Sequence, residues 1–136
     1  MKVEFIQTEH INIMWPHVEP FIKSAIDASG VDDYSLDNFK MRLTDGLWQA
    51  LVAVDDEREI CGAAVVHFFN RPKDRVGYIM AIGGKLISNE DTFEQLKNYM
   101  KINGATRIEG SARESVARLW TRYGFTEKYR VVGVSI

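Results

Sequence analysis

Apolar side chains recur three or four residues apart in two stretches near the N-terminus, and this spacing predicts two helices. The first helix is indicated by Trp15, Val18, Ile22, Ala25 and Ile26. It should stop at Ser29-Gly30, and because Pro16 suits a first helical position we expect it to begin near Trp15. The second helix follows the cap Ser35 and should bury Leu36, Phe39 and Leu43. Residues 3–6 are extended in pattern and precede both helices as a first strand.

The period changes from helical to extended between residues 49 and 82. Three runs rich in Val, Ile, Ala and aromatic residues cover residues 49–54, 60–69 and 75–82. Segments of turn-forming residues separate these runs, which predicts an antiparallel three-stranded meander.

Helical and extended patterns alternate in the last third of the chain. They predict a helix over residues 89–103, a strand over 106–109, a helix over 114–123 and a final strand over 129–134. The helix at 89–103 should act as a parallel crossover between the strands at 75–82 and 106–109. Residues 1–136 then form one α/β (α+β) domain with the order β-α-α-β-β-β-α-β-α-β. Its mixed, mostly antiparallel central sheet is flanked by about four helices.

Composition agrees with a single domain, since the 136 residues are 46% apolar and 26% charged. No window approaches the roughly 20 apolar residues of a membrane-spanning helix. Glu4 and Glu9 fall where a signal peptide would be apolar. We therefore expect a protein that works in the cytoplasm and does not enter a membrane.

Cysteine and histidine usage argues against metal binding. Cys61 is the single cysteine and lies in an apolar run, so we expect a buried structural thiol. The three histidines are scattered without metal-ligand spacing. The sequence predicts no metal site.

Charge is distributed unevenly around a net value of −2. Residues 1–100 carry 10 basic and 16 acidic side chains, whereas residues 101–136 carry 7 and 3. A basic C-terminal third is compatible with an anionic ligand and equally with solvated surface charge. Nucleic-acid binding is the weakest hypothesis, because the chain is acidic overall and has no nucleic-acid-binding motif.

The element order and the segment Ala-Arg-Leu-Trp-Thr-Arg-Tyr-Gly-Phe at residues 117–125 resemble the GNAT superfamily of N-acetyltransferases. The usual family phrase is an alanine followed by Leu-Tyr-Glu-Lys-Leu-Gly-Phe, and the match is confined to Leu119, Gly124 and Phe125. Trp15-Pro16 and the turn Gly83-Gly84-Lys85 are similar to features of small GNAT-like proteins encoded by tailed bacteriophages. Taken singly, these features are also ordinary structural devices, such as a helix end followed by a hydrophobic plug.

The resemblance implies acetyl-CoA, or another acyl-CoA, as co-substrate. The family holds the coenzyme pyrophosphate with backbone N–H groups of a loop written Gln/Arg-x-x-Gly-x-Gly/Ala, and the stretch Ile82-Gly83-Gly84-Lys85 lacks that pattern. The two glycines permit close approach and Lys85 adds a positive charge, which favours a modified phosphate cradle. Residues 90 and 91 are acidic and would repel a phosphate at the next helix start. Both interpretations stay open.

The resemblance also locates the catalytic positions. In register with Gly124, the family's acid tyrosine is replaced by Trp120, and the asparagine placed on the coenzyme seven residues earlier is replaced by Arg113. Trp120 and Arg113 are therefore expected at the coenzyme. An indole cannot donate the proton, so water, Tyr123 or no acid at all takes that part.

The candidates for the base are His67 on the third strand and Tyr78 on the fourth, because the family's amine site lies beside the centre of the sheet. Each also has a structural interpretation, as a hydrogen-bonded or core residue. Tyr34, between the first two helices, lies in a segment that commonly shapes the acceptor pocket of the family.

The resemblance therefore implies an acyl-CoA-dependent N-acyltransferase that acts by direct attack of an amine on the thioester, with a degenerate coenzyme loop. The alternative is an inactive GNAT-fold binding protein or a phage virion-associated structural protein. The acceptor amine is not specified by the sequence. Beyond it, the partner is either a second copy of the chain or a phage or host protein, and a phage-encoded chain would work in the host cytoplasm.

Overall fold

Five strands form one sheet in the order β1-β2-β3-β4-β5. The structure, a computed structural model, describes residues 1–30 and 33–136. The strands are β1 Lys2–Ile6, β2 Gln49–Val54, β3 Ile60–Asn70, β4 Arg75–Gly84 and β5 Arg107–Gly110. The first four are antiparallel neighbours, and β5 is parallel to β4. The predicted meander and the predicted parallel pair are both confirmed.

The helices are α1 Ile11–Ser29, α2 Leu36–Thr44, α3 Lys85–Ser88, α4 Glu90–Ile102 and α5 Glu114–Trp120. Short 3-10 turns at Thr8–His10 and Thr121–Tyr123 precede α1 and follow α5. The predicted start of α1 near Trp15 is wrong, because Ile11 is 1% exposed and its burial extends the apolar face by one turn. The predicted cap of α2 is confirmed, since the Ser35 hydroxyl accepts a hydrogen bond from the Asn38 N–H at 3.2 Å.

The helices cover the two faces of the sheet. On one face α1 and α2 bury a core that includes Val18, Ile22, Leu43, Val52 and Val65. On the other face α3, α4 and α5 bury Leu86, Leu96, Met100, Trp120 and Val66. Alternating residues of β2 and β3 supply both cores, as expected for strands buried on both sides.

The crossover from β4 to β5 differs in one detail from the predicted one. Its main helix, α4, is capped by the Asn89 side chain, which accepts from the Thr92 N–H at 3.1 Å, so the helix begins where the sequence predicts. The short helix α3 precedes it and was not predicted, because four residues are too few for a helical period to show. Leu86 on α3 is fully buried against the sheet.

Two sequence expectations are corrected. The predicted final strand at residues 129–134 is not formed. Residues 126–136 are exposed, and their backbone makes no hydrogen bond to the backbone of any described residue. Residues with high β propensity indicate only a tendency to form a strand. A strand also needs a neighbouring strand to pair with, and the local sequence does not specify one. Cys61 is half-buried, with its Sγ 3.3 Å from the carbonyl oxygen of Ala53 and 3.4 Å from Met1 Sδ. Cys61 is the second residue of β3 and lies beside Met1.

Within the described part of the chain, no helix is long and apolar enough to cross a bilayer.

Candidate functional site

The strands β4 and β5 separate before β4 ends. Their pairing runs from Val76 opposite Arg107 to Ile79 opposite Gly110, after which the chain turns away toward α5. β4 continues to Gly84, so residues 80–84 have no strand beside them on that side in the ranges the structure describes. Backbone groups of this open edge therefore face a gap instead of a neighbouring strand.

The gap is an apolar cleft of about 240 Å³. Ala25 and Ala28 of α1 form one wall, β4 the floor, and Val116, Leu119 and Trp120 of α5 the opposite wall. The small side chains on α1 leave room between this helix and the sheet. The geometry suits a narrow, largely apolar ligand lying along a strand edge.

A second, smaller pocket of about 70 Å³ adjoins the cleft. It is lined by Asp33, Tyr34, Phe39 and Tyr78 in addition to residues that also line the cleft, among them Met80 and Ser111. Met80 is the extra residue of a β-bulge, because Val65 pairs with Ala81 while Val66 pairs with Ile79. The bulge and Ser111 therefore mark the junction of the two cavities.

Tyr78 and Ser111 meet at this junction. The Tyr78 hydroxyl and the Ser111 Oγ share a short hydrogen bond. Tyr78 is held on β4 opposite His67, and Ser111 directly follows the last residue of β5. Two hydroxyl groups thus lie at the carboxyl end of the parallel strand pair, where ligands bind in many open sheets.

His67 lies on the same face but does not line either cavity. Its ring centroid is 6.4 Å from that of Trp48 and 5.3 Å from that of Phe69. Burial among these side chains lowers the pKa of His67, because desolvation disfavours the charged imidazolium. These surroundings therefore favour the neutral imidazole over the imidazolium.

Tyr34 is brought to the smaller pocket by the chain between α1 and α2. Its ring lies 5.0 Å from Trp48 and 6.4 Å from Phe39, in both cases edge to face. Two of the sequence candidates, Tyr34 and Tyr78, therefore line one pocket.

The Gly83-Gly84 turn is shaped by close packing. A β-carbon on Gly83 would lie 2.9 Å from the carbonyl oxygen of Phe21, and one on Gly84 would lie 2.5 Å from that of Cys61. Gly84 also has φ of 64° and ψ of −145°, a conformation that is practically restricted to glycine. Ile82, Gly83 and Gly84 line the cleft, while the exposed Lys85 begins α3.

The beginning of α4 already satisfies two of its first N–H donors through Asn89. The Asn89 side chain caps the Thr92 N–H, and the Asn89 carbonyl oxygen accepts from the Phe93 N–H at 3.1 Å. Glu90 and Asp91 fill the first turn. Negative charge at this end of the helix dipole disfavours an additional anion.

Three sequence candidates on the C-terminal side have distinct surroundings. Trp120 is 7% exposed and lines the cleft. Arg113 is exposed and lies across the end of α1, since a β-carbon on Gly30 would be 2.2 Å from its Nε. Tyr123 donates its hydroxyl to the carbonyl oxygen of Ile87 at 2.8 Å and stacks on Phe93 at 4.5 Å, outside the lining of both cavities.

Sequence analysis missed Ser111, Met80 and the small residues of α1. Ser111 carries a detectable signal, because it follows a short strand that the crossover makes parallel to its neighbour. The bulge at Met80 depends on the pairing partner and leaves no local signal. In the described part of the chain, no three His, Cys, Asp or Glu side chains cluster as metal ligands would.

No protein-family model matches the sequence, and no curated protein matches it. Solved structures are similar over the whole chain. A probable acetyltransferase has a TM-score of 0.72 at 18% identity, with 100% of this chain and 98% of that chain covered. The ribosomal-protein-alanine N-acetyltransferase of Brucella melitensis biovar Abortus 2308 gives 0.71 at 14% identity, with both chains covered completely. A predicted acetyltransferase of Clostridium acetobutylicum, solved with acetyl-CoA, gives 0.66 at 16% identity, with 98% and 95% covered.

These comparisons establish the fold. The mixed, mostly antiparallel sheet with helices on both faces matches the GNAT fold of the acetyltransferases. The fold-level prediction made from the sequence is confirmed.

Proposed function

We propose that the protein is an acyl-CoA-dependent N-acyltransferase of the GNAT superfamily. The observation that carries the proposal is the separation of β4 from β5, which leaves the open edge at residues 80–84 facing an apolar cleft. The structural similarity to acetyltransferases, one of them solved with acetyl-CoA, supports the same conclusion.

The pantetheine arm of the coenzyme fits the chemistry of this cleft. The arm carries two amide groups on an otherwise largely apolar chain, and the open edge of β4 offers unpaired backbone donors and acceptors. An extended ligand can therefore pair with β4 as a strand would. Ile82 and Trp120 supply apolar contacts along the same path.

The smaller pocket would hold the acceptor amine. The amine nitrogen attacks the thioester carbonyl carbon, the resulting intermediate expels the coenzyme thiolate, and an amide is formed. The amine must lose a proton and the thiolate must gain one. Tyr78, hydrogen-bonded to Ser111 at the junction, is the better placed proton acceptor, because the other candidate, His67, lines neither cavity.

The leaving thiolate lacks an obvious protein acid. Tyr123 already donates its proton to the Ile87 carbonyl oxygen. We propose that water entering the cleft protonates the thiolate. Tyr123 then acts as a packing residue, held by its hydrogen bond to Ile87.

The phosphate groups of the coenzyme would lie at the mouth of the cleft. Lys85 and Arg113 are exposed, and no ion pair in residues 1–30 and 33–136 involves either side chain. In this proposal the two cations compensate for the missing backbone cradle, since each charge-assisted contact to phosphate contributes about 1.5–3 kcal/mol.

The proposal is tested by filling the cleft. Wild-type protein should bind acetyl-CoA in isothermal titration. In Ala28→Trp, an indole on the cleft wall should weaken this binding at least tenfold, which is about 1.4 kcal/mol. Because Ala28 is exposed, the unfolding midpoint of the free variant should stay close to the wild-type value.

Ile13→Trp is the matched control, because Ile13 lies on the same helix, is 74% exposed and is not among the cleft-lining residues. Its affinity for acetyl-CoA should equal that of the wild type. Equal affinities of all three proteins would show that acetyl-CoA does not use the cleft.

The low pKa of His67 gives a pH prediction. The unfolded chain binds a proton at the ordinary histidine pKa of about 6.5, whereas the folded chain binds it only at lower pH. Unfolding therefore takes up a proton in this interval, and stability should fall as the pH drops below about 6.5. Thermal melts of wild type and His67→Gln across this range should show a smaller acid-side loss in the variant. Parallel curves would mean that His67 is not desolvated.

A second candidate function is a GNAT-fold binding protein without catalysis, which includes a phage virion-associated structural role. The acidic, already capped first turn of α4 favours it, because a phosphate there would meet Glu90 and Asp91. An unfolding midpoint unchanged by millimolar acetyl-CoA would support this candidate, since a ligand that binds the folded state must raise it.

A further inference from the structure

Five aromatic side chains form a continuous row that begins and ends at the smaller pocket. The row, which we call the aromatic arc, consists of Tyr34, Trp48, His67, Phe69 and Tyr78. Neighbouring ring centroids along it lie 5.0, 6.4, 5.3 and 6.1 Å apart. The two ends of the arc, Tyr34 and Tyr78, both line the pocket. The pocket and the arc are therefore parts of one surface.

Part of the aromatic arc is open to solvent. Trp48 is 5% exposed and belongs to the core, whereas Tyr34 is 42% exposed and the other three side chains are half-buried. His67 and Phe69 alternate along β3 and Tyr78 pairs with His67, so these three lie on one face of the sheet. Burial lowers the pKa of His67 and so favours its uncharged ring. An exposed aromatic surface that adjoins a pocket is typical of a binding site.

The charged groups beside the arc neutralise one another. The Arg71 guanidinium lies 5.2 Å from the centre of the Phe69 ring and is ion-paired with Glu109. Arg107 Nη1 lies 3.5 Å from a carboxylate oxygen of Glu109 and 3.5 Å from one of Asp74. Two arginines thus face two carboxylates. A ligand body without charge suits this surface, because its binding leaves these ion pairs intact.

The smaller pocket has the chemistry of an ammonium site. Asp33 supplies a carboxylate, and the hydroxyl groups of Tyr34, Tyr78 and Ser111 supply oxygen acceptors. The pocket has a volume of only about 70 Å³. An amine on a short alkyl arm fills this space, so the rest of an acceptor must lie outside it, on the aromatic arc.

We propose that the acceptor is a primary amine joined by a short arm to an uncharged aromatic ring, and that this ring stacks on the exposed part of the aromatic arc. The inference rests on the proposed function and names the class of acceptor. The ammonium enters the pocket toward Asp33 and Tyr78, and the ring lies over Phe69. Stacking then supplies affinity and selects against simple alkylamines.

The probes are 2-phenylethylamine and n-butylamine, which share a primary ammonium on an alkyl chain and differ in the ring. Each is titrated into isotope-labelled protein, and binding is followed by the backbone amide resonances. 2-Phenylethylamine should bind about fivefold more tightly, the order expected of one aromatic contact. It should also shift the amide resonances of residues 67–69 and 78. Equal affinities of the two amines, or unchanged resonances at these residues, would overturn the inference.

Phe69→Ala tests the aromatic arc directly. Its affinity for 2-phenylethylamine should fall to that for n-butylamine, while n-butylamine binding should stay at the wild-type value. Phe68→Ala is the matched control: Phe68 is also half-buried and carries a guanidinium, that of Arg75, 5.3 Å from its ring centre, but it packs on the opposite face of the sheet. This variant should bind both amines as the wild type does. Equal losses in the two variants would contradict stacking on the arc.

Phe69→Leu keeps the inference testable if the alanine variant folds poorly. Leucine retains apolar contact but has no ring, so the preference for 2-phenylethylamine should again disappear. A leucine variant that keeps the full preference would show that the contact is not aromatic stacking and would overturn the inference.

Failure of this inference can be told apart from failure of the proposed function. No member of the aromatic arc is among the residues that line the cleft, so acetyl-CoA binding is measured independently. If acetyl-CoA binds and 2-phenylethylamine does not, the proposed function stands and the inference is overturned. If 2-phenylethylamine binds through Phe69 and acetyl-CoA does not bind, the amine site is supported and acyl transfer is the part that fails.

Discussion

Replacing Trp120 by alanine should lower the free energy of unfolding by about 3–5 kcal/mol. Trp120 is 7% exposed and is the single buried residue of α5, a helix of only seven residues. Its ring packs so closely on the sheet that a β-carbon on Gly110 would lie 2.6 Å from it, and the Phe125 ring lies tilted beside it with the two centroids 5.1 Å apart. Loss of the ring leaves a cavity and removes the anchor of α5.

Urea denaturation followed by circular dichroism measures this loss. A domain of ordinary stability has about 5–15 kcal/mol in total, so the variant should unfold at a clearly lower urea concentration. Arg118→Ala is the control, since Arg118 is exposed on the same helix and its removal should change stability by no more than about 0.5 kcal/mol. Equal midpoints for Trp120→Ala and wild type would show that α5 does not pack as described.

Gly84→Ala should cost about 2–5 kcal/mol of stability. Part of the loss comes from the backbone, because φ of 64° with ψ of −145° is unfavourable for any side chain. The rest comes from the contact that the new methyl group makes with the Cys61 carbonyl oxygen at 2.5 Å. β3 and β4 would have to separate at this point.

Gly124→Ala separates these two contributions. Gly124 also has a positive φ, of 88°, but no atom lies within 4 Å of a β-carbon placed there. Only the backbone cost of about 1 kcal/mol should remain in this control. Equal losses of stability in the two variants would mean that steric packing does not require glycine at position 84. That result would favour a role for Gly84 in ligand binding.

The sequence predicted most of the fold because most of its elements leave local signals. The meander is visible in the alternation of residues 49–82, and the caps at Ser35 and Asn89 mark helix starts through their own chemistry. Errors arose where tertiary contacts decide the outcome. Burial of Ile11 lengthens α1, and the buried Leu86 stabilises a helix too short to have a period.

The candidate site was predicted less completely. The resemblance drew attention to Gly83, Tyr78 and Trp120, and the structure places these residues at the cleft or at the adjoining pocket. Ser111 and the α1 wall were missed, because their relevance depends on how far β5 pairs with β4. His67 was chosen for its place on the third strand and Tyr123 as the tyrosine near Trp120, whereas position relative to a cavity is a three-dimensional property. Their catalytic roles remain predictions.

The final strand illustrates the same limit. Residues 129–134 have the composition of a strand, but composition does not say which edge, or which copy of the chain, provides the hydrogen bonds. The residue pattern predicted a strand at 129–134. In the described part of one chain, the backbone of these residues has no strand to pair with.

The extra residue Met80 shifts by one position the alternation of β4 side chains between the two faces of the sheet. Before it, odd-numbered positions such as Ile79 face α4 and α5; after it, odd-numbered positions such as Ala81 face α1 and α2. Tyr78 and Ala81 thus share one side of the sheet although an odd number of steps separates them. Loss of Met80 would leave Ile79 opposite Val66 and Ala81 opposite Val65, so all later β4 residues would keep their present sides and only the bulge would disappear. The extra residue therefore shapes the junction of the two cavities, which Met80 lines on both sides, and it does not decide which helices the later β4 residues face.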